Sequence, residues 1–248
     1  MTKTPPDLAE RRFLFRLALA MVLVNTAGFA TNLAMHRSTF AVPALFHIHA
    51  LVFFGWMALV VVQTGLAARG NFALHRRLGW LAALWTPAMV LAGPLLSVAS
   101  LRRSGGPFFF APAEFLFGGV SGIIVFALLV GLALALRRQG DWHRRLMLCA
   151  MADITGPGWG RLMPMPLLIP YAWQAGQLAG LVFPLVGMLG DWRRNGRVHP
   201  AWLVGAALLA TGTVAGELVA ATPWADGVTR QIMAGHPGAN RPMTPYLP

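Results

Sequence analysis

Cysteine and acidic residues are the scarce components of this 248-residue sequence. The one cysteine, Cys149, has no second cysteine to pair with, so a disulfide framework is excluded. Charged residues make up 11% of the chain, less than half of the roughly 25% found in globular domains, and only 8 are acidic. An ordinary soluble domain is therefore excluded. Apolar residues make up 56% of the chain, which predicts an all-α, polytopic membrane helical bundle in contact with the lipid bilayer.

The basic residues are more numerous, and 20 Lys and Arg give the chain a net charge of +12. Proteins that bind nucleic acids carry such an excess on one face of a polar fold. Here the arginines lie between apolar runs instead, so we predict no nucleic-acid partner and interpret the charge as a signal of membrane topology.

Seven runs of the sequence are apolar and long enough to cross a bilayer core of about 30 Å, which needs roughly 20 helical residues. The first run follows Arg11 and Arg12 as a signal peptide would, but it is longer than a signal core and is predicted to stay uncleaved. Asp153, Gly156-Pro157-Gly158 and Arg161 interrupt the fifth run. The predicted seven transmembrane helices are 13–35, 42–66, 78–100, 113–136, 146–165, 167–190 and 201–221.

The distribution of Lys and Arg predicts the orientation of these spans, because cytoplasmic loops are enriched in both residues. With the N-terminus inside, the inner segments hold 14 of the 20 basic residues and the outer segments hold 6. The sequence thus predicts an N-in, C-out protein of the bacterial inner membrane. It divides into a transmembrane domain, 1–222, and an extracytoplasmic tail, 223–248, with a short interfacial helix at 224–233.

A repeated motif indicates that the chain is a lead helix followed by three helical hairpins. Residues 137–143 and 193–199 share Arg-Arg-(Gln/Asn)-Gly-x-x-His at identical spacing, and residues 69–75 form a looser copy. Each glycine is expected to end a helix in the left-handed conformation. All three turns would then face the cytoplasm.

The third and fifth spans also open alike, with His-Arg-Arg-Leu-Gly at 75–79 and His-Arg-Arg-Leu-Met at 143–147. Together with His49, Trp56 and Gln63 on the second span, these motifs resemble an uncharacterised family of bacterial multi-span inner-membrane proteins, over roughly the second to the fifth span. The resemblance implies the fold and the inner-membrane location. The family has no assigned activity, so the resemblance implies no mechanism.

Polar and titratable side chains within the spans are the candidate functional residues, because burying them in a bilayer is costly. Most lie in the outer half of the predicted bundle. The second span carries a stripe of polar residues every seven positions, and a buried carboxylate must pair, take a proton or meet water. Interhelical hydrogen bonding is the alternative role. The predicted ligand-binding residues are His49, Trp56, Glu114, Asp153, Arg161, Gln174, Gln177 and Glu217.

Binding or transport of a small molecule or ion through this polar cavity is the function that we predict from the sequence. Prolines 157, 164, 166 and 170 would give the discontinuous helices that transport sites use. No cofactor is predicted, and His49 is the best candidate for a metal ligand. An enzyme is less well supported, because the sequence contains neither a zinc-protease motif nor a phosphate loop.

Two further alternatives remain. Haem b could bind between histidines of paired helices, with His47, His49, His75 and His143 as the candidate ligands. Against it, arginine pairs follow His75 and His143 toward the membrane, and arginines that must reach water would leave a haem too exposed. An accessory subunit is the other alternative, since Gly118, Ser121 and Gly122 give the fourth span a small-residue face.

Overall fold

A computed structural model describes residues 8–247 of the chain, and every regular element among them is helical. Lys3, one of the 14 basic residues counted in the predicted inner segments, lies outside the described residues. Six helices are long and apolar enough to cross a membrane, so the protein is a helical, multi-pass membrane protein. They are Leu8–Ala34, Ala44–Ala68, Phe72–Ser104, Glu114–Ala135, Ala172–Asn195 and Pro200–Ala220.

The first three of these are regular helices, α1 (Leu8–Ala34), α2 (Ala44–Ala68) and α3 (Phe72–Ser104). The fourth opens with a π-helical turn, Glu114–Gly118, before α4 (Gly119–Ala135). The fifth is divided at Gly180 and Leu181 into α7 (Ala172–Ala179) and α8 (Val182–Asn195). The sixth is α9 (Pro200–Ala220). The tail carries α10 (Pro223–Met233), whose bounds agree to within one residue with the short helix predicted at 224–233.

The prediction of seven spanning helices is wrong, because residues 146–165 do not form one helix. The chain there forms α5 (Gly140–Asp153), α6 (Gly156–Leu162) and a 3₁₀ turn, Met165–Leu168. The helix ends because the Thr155 hydroxyl and backbone N–H both donate to the carbonyl of Ala152, at 2.6 and 3.1 Å. Pro157 then has no N–H with which to continue the helical ladder. Among the described residues, six helices long and apolar enough to cross a membrane therefore remain.

The starts of α1, α3, α5 and α9 meet at one end of the bundle, which we call the arginine end. Glu10 of α1 bonds Arg145 of α5 at 2.7 Å, and Arg145 bonds Asp191 at the end of α8. Trp142 contacts the ring of His199 ahead of α9. The predicted inner loops therefore share one end of the molecule.

The opposite end, the tail end, is formed by the start of α2, the end of α3, the start of α4 and the C-terminal tail. Arg102 of α3 donates to the carbonyl of Ile232, and Phe117 packs against Trp224. Trp173, at the start of α7, packs against Phe110 beside α4. Between Arg145 and Trp173 the chain thus passes from one end of the bundle to the other through the two short helices α5 and α6.

Glycine ends the helix in two of the three repeated turns. Gly70 and Gly196 have φ of +76° and +66°, a conformation that glycine adopts without steric cost. The prediction is wrong for Gly140, which starts α5 with ordinary helical geometry instead. Helix α4 already ends at Ala135, so the four residues 136–139 are enough to begin the next helix. The motif is therefore repeated in sequence more closely than in backbone conformation.

The apolar core lies between α1, α2, α3, α4 and α5. Trp56, Phe126, Met21 and Met89 are fully buried there, and the rings of Trp56 and Phe126 are 5.0 Å apart. A smaller core of Leu101, Leu116 and Met233 attaches the tail to the tail end of the bundle. The main core therefore occupies the middle of the bundle.

Candidate functional site

Asp153 and Gln177 form the centre of the polar region that the sequence predicts. Asp153 Oδ2 and Gln177 Nε2 lie 4.0 and 3.7 Å from the position that a Cβ would take on Gly122 of α4. Gln177 Oε1 lies directly against Gly156 at the start of α6. Both glycines leave room for these polar groups because they have no side chain. Helices α4, α5, α6 and α7 therefore meet at one polar point.

The Asp153 carboxylate accepts no hydrogen bond and forms no ion pair within residues 8–247. It is only partly exposed, and it ends α5 in the interior of the bundle. An unpaired carboxylate at such a position has to take a proton, meet water or bind a cation. Asp153 is thus an acid whose charge no residue in the described part of the chain compensates.

Two helix breaks lie against each other beside this carboxylate. The break between α5 and α6 covers Ile154 and Thr155, and the break between α7 and α8 covers Gly180 and Leu181. A Cβ on Gly180 would lie 2.8 Å from the Ala152 carbonyl oxygen and 3.2 Å from the Thr155 hydroxyl. Interrupted helices that meet inside a bundle are typical of transporter binding sites.

Glu114 and Glu217 form a second acidic position closer to the tail end. Glu114 accepts from the backbone N–H of Ala111 at 3.1 Å, and its carboxylate interacts electrostatically with that of Glu217. Glu114 lies eight residues before Gly122, a distance of roughly 12 Å along the helix. Acidic side chains therefore follow α4 from the tail end to Asp153, in an arrangement that we call the acidic file, consisting of Glu114, Glu217, Asp153 and Gln177.

His49 and Arg161 lie apart from the acidic file, against α1 and α3. His49 Nδ1 bonds the Ala92 carbonyl at 3.2 Å, and its ring stacks on Phe53. The Arg161 guanidinium stacks 3.8 Å from the ring centre of Phe29, and its charge acts on His49. The structure therefore divides the predicted single set of ligands into an acidic group and a basic group.

Several other predicted residues carry buried polar atoms without a partner among the described residues. Trp56 is fully buried in the core, and its indole N–H has no acceptor. The same holds for the side-chain carbonyl oxygens of Gln63 and Gln174 and for one oxygen of Glu217. Such groups cost free energy unless something bonds them. The interior therefore has unused hydrogen-bonding capacity on both sides of the core.

An ion-pair network at the arginine end was missed by the sequence analysis. Arg145 is 2% exposed, and its guanidinium donates twice to Asp191, at 2.8 Å each, and once to Glu10. Asp191 also accepts from the indole of Trp202 at 3.0 Å. Glu10 and Asp191 are rare acids in arginine-rich segments, a signal that could have pointed to this pairing. The network joins α1, α5, α8 and α9.

The predicted haem ligands separate into one pair and two single histidines. The rings of His75 and His143 are 6.2 Å apart at the arginine end. His47 is exposed and bonds the Phe40 carbonyl, while His49 is held as described above. The ring contacts within the described chain include no other pair of histidines.

The small-residue face of α4 packs within the chain. Gly118 lies against Trp173 and Gly216, and Ser121 donates to the Gly212 carbonyl at 2.6 Å. Helices α7 and α9 therefore cover this face.

Residues 8–247 contain no group of three or more His, Cys, Asp and Glu side chains placed to hold a metal ion. Comparisons with protein-family models, with curated proteins and with solved structures found no match.

Proposed function

We propose that this protein binds a small cation, or a small polar solute with a cationic group, at Asp153 and carries it across the membrane. The unpartnered Asp153 carboxylate between two touching helix breaks is the observation that supports this function. Three of the four side chains in the acidic file are carboxylates, and the fourth is an amide, so the file favours positive charge. Arg161 lies on another side of the bundle, where it does not neutralise Asp153.

The two ends of the bundle support a binding site that opens toward the tail end. The acidic file extends from Asp153 toward the tail end, whereas the buried pairs of Arg145 hold α1, α5 and α8 together at the arginine end. A transporter needs one closed and one accessible side in each of its states. We infer that the ion-pair network is the closed side in this conformation, and that the helix breaks are the points at which the bundle changes shape.

The proposed topology places the arginine end in the cytoplasm of a bacterial cell, with the protein in the inner membrane. The chain would cross the membrane in the six long helices, the fifth of which is divided into α7 and α8, and in one further divided segment, α5 with α6. This arrangement keeps every dense arginine cluster on the cytoplasmic side, as the positive-inside rule requires. It leaves the tail, and the entrance to the acidic file, outside.

Thermal unfolding of the purified protein tests the binding proposal directly. The melting temperature is measured in mild detergent with sodium, potassium, ammonium, methylammonium, guanidinium or putrescine chloride at constant ionic strength. A cation that binds the folded state at 100 times its Kd adds about 2.7 kcal/mol of stability. At least one of these cations is expected to raise the melting temperature, and Asp153→Asn is expected to abolish that rise.

Asp226→Asn is the matched control, because Asp226 is an exposed carboxylate of the tail that pairs with Arg230. It should keep the full response to the cation. A cation that stabilises the protein is then tested for uptake into proteoliposomes under an inside-negative potential. The proposal is wrong if no cation stabilises the wild-type protein, or if Asp153→Asn responds as the wild type does.

A further inference from the structure

His75 and His143 occupy equivalent positions in two consecutive hairpins. His75 Nδ1 bonds the carbonyl of Gln63, in the last two turns of α2, at 3.2 Å. His143 Nδ1 bonds the carbonyl of Ala133 at the end of α4, at 2.8 Å. Each histidine thus bonds back to the preceding helix of its own hairpin. The repeated His-Arg-Arg-Leu motif therefore produces the same local contact twice and brings the two rings together.

These two hydrogen bonds fix the tautomer of each ring. A carbonyl oxygen only accepts, so Nδ1 must carry the proton and donate it, which leaves a lone pair on Nε2 of the neutral ring. Metal-binding histidines are held in this way, with one nitrogen on a backbone carbonyl and the other on the metal. In the described part of the chain neither Nε2 atom is used in a hydrogen bond.

The separation of the rings fits ligands on opposite sides of one metal ion. Two imidazoles bonded at about 2.0 Å on opposite sides of a metal have ring centres roughly 6 Å apart, whereas a tetrahedral angle brings them to roughly 5 Å. The observed separation is 6.2 Å, with the ring planes at 84° to each other. The separation of the ring centres therefore matches that of an axial pair.

A bare metal ion would require more ligands than this site provides. Structural and catalytic zinc sites use three or four protein ligands, and residues 8–247 contain no group of three suitable side chains. Haem iron needs only two protein ligands, because the porphyrin supplies the other four. The pair of histidines therefore meets the requirement of haem and does not meet that of zinc.

The arginine pairs that follow the two histidines do not make the site too exposed, contrary to the sequence-based objection. Arg144 and Arg145 point to Glu10 and Asp191 within the protein instead of reaching water. Arg76, Arg77 and Arg138 are exposed beside the pair and form no ion pair with a described residue. Arginines at such positions can bind carboxylates in bidentate geometry, as the two haem propionates require.

We propose that His75 and His143 are the axial ligands of one haem b at the arginine end of the bundle. This site is separate from the Asp153 site and does not depend on the proposed transport. The basic residues beside the pair hold the propionates, and the two carbonyl bonds orient the imidazoles.

Haem reconstitution of the full-length protein tests the proposal. The protein is purified in mild detergent, titrated with hemin, and its visible and EPR spectra are recorded. We expect one haem per chain, a sharp Soret band, a narrow α-band after reduction with dithionite, and a strongly anisotropic low-spin ferric EPR signal because the ring planes are nearly perpendicular.

Histidine variants identify the ligands. His75→Ala and His143→Ala should each weaken hemin binding at least tenfold, or leave a high-spin haem that binds carbon monoxide. His143→Met should retain haem with a shifted spectrum, and His236→Ala, at an exposed tail position, should match the wild type. Gel filtration and thermal unfolding show that each variant is folded.

Three results would overturn the assignment. The first is a wild-type protein that gives no Soret band with excess hemin. The second is a spectrum unchanged in folded His75→Ala and His143→Ala. The third is stoichiometric copper without iron in the purified protein, which would mean that the pair binds a different metal.

Discussion

Arg145 is a buried charged residue, and ion pairs with acidic side chains compensate its charge. Its side chain is 3% exposed, and its guanidinium has two bonds to Asp191 and one to Glu10. Removing one member of a buried ion pair leaves an uncompensated charge and costs about 3–5 kcal/mol. Asp191→Asn should therefore lower the melting temperature strongly. Asp226→Asn, which breaks a pair of exposed residues on α10, should cost about 0–1 kcal/mol. Equal melting temperatures for the two variants would contradict the role given to Arg145.

His199 gives the start of α9 a dependence on pH. Its Nδ1 accepts from the backbone N–H of Ala201 at 3.1 Å, a bond that requires the neutral ring. Burial, together with the charge of Arg145, lowers the pKa of His199, while Asp141 and Asp191 oppose this shift. The unfolded chain, with a histidine pKa of about 6.5, takes up the proton first as pH falls. Stability from this group is therefore complete above that pH and decreases below it.

His199→Asn isolates this effect, because Asn caps a helix well and does not titrate. Melting temperatures measured between pH 8 and pH 5 should fall further for the wild type than for His199→Asn. The difference between the two proteins should appear below about pH 6.5. Parallel curves would show that His199 is not the titrating group.

The contact between α1 and α6 depends on two glycines. A Cβ on Gly158 would lie 2.7 Å from Asn25 Cα, and one on Gly28 would lie 2.5 Å from the Gly158 carbonyl oxygen. Backbone atoms cannot move aside as a side chain can, so Gly158→Ala should destabilise the protein by about 1–3 kcal/mol through overpacking. Gly131→Ala on α4 is the control, since nothing lies within 4 Å of its Cβ position. If Gly158→Ala lowers the melting temperature no more than Gly131→Ala does, the close contact between α1 and α6 is contradicted.

The bounds of a helix were predictable from the sequence where the length of an apolar run alone determines them. Apolar length alone located α2 and the fourth spanning helix, Glu114–Ala135, to within about three residues. The start of α3 was placed six residues too late, because the helix begins at Phe72 after the Asn71 cap, in a polar segment that hydropathy does not detect. The interruption at 156–158 was visible in the sequence, but the tertiary contacts made there, such as the bond from Asn25 to the Ile154 carbonyl, were not.

The whole-molecule arrangement of polar residues was predictable only in part. Periodicity placed His49 and Trp56 on one face of a helix, but it gave no information on which helix faces them. In the structure, Trp56 lies in the apolar core against Phe126, and His49 lies beside Arg161 instead of Asp153. The pairing of His75 with His143 needs the relative position of two hairpins. A single sequence contains the repeated motif that produces this position, but not the contact itself.

The divided segment α5 with α6 determines the topology of the whole molecule, because every later element changes sides if it does not cross. Single cysteines at Arg138, Leu167 and Arg197, in a Cys149→Ala background, test the crossing with a membrane-impermeant maleimide on spheroplasts. Leu167 is 81% exposed between α6 and α7, whereas Cys149 is buried and its removal leaves the surface unchanged. The positive-inside rule predicts labelling at 167 in intact spheroplasts, and at 138 and 197 only after permeabilisation. Labelling of 138 and 167 from the same side would show that the segment returns without crossing, and would place the arginine cluster at 193–197 outside.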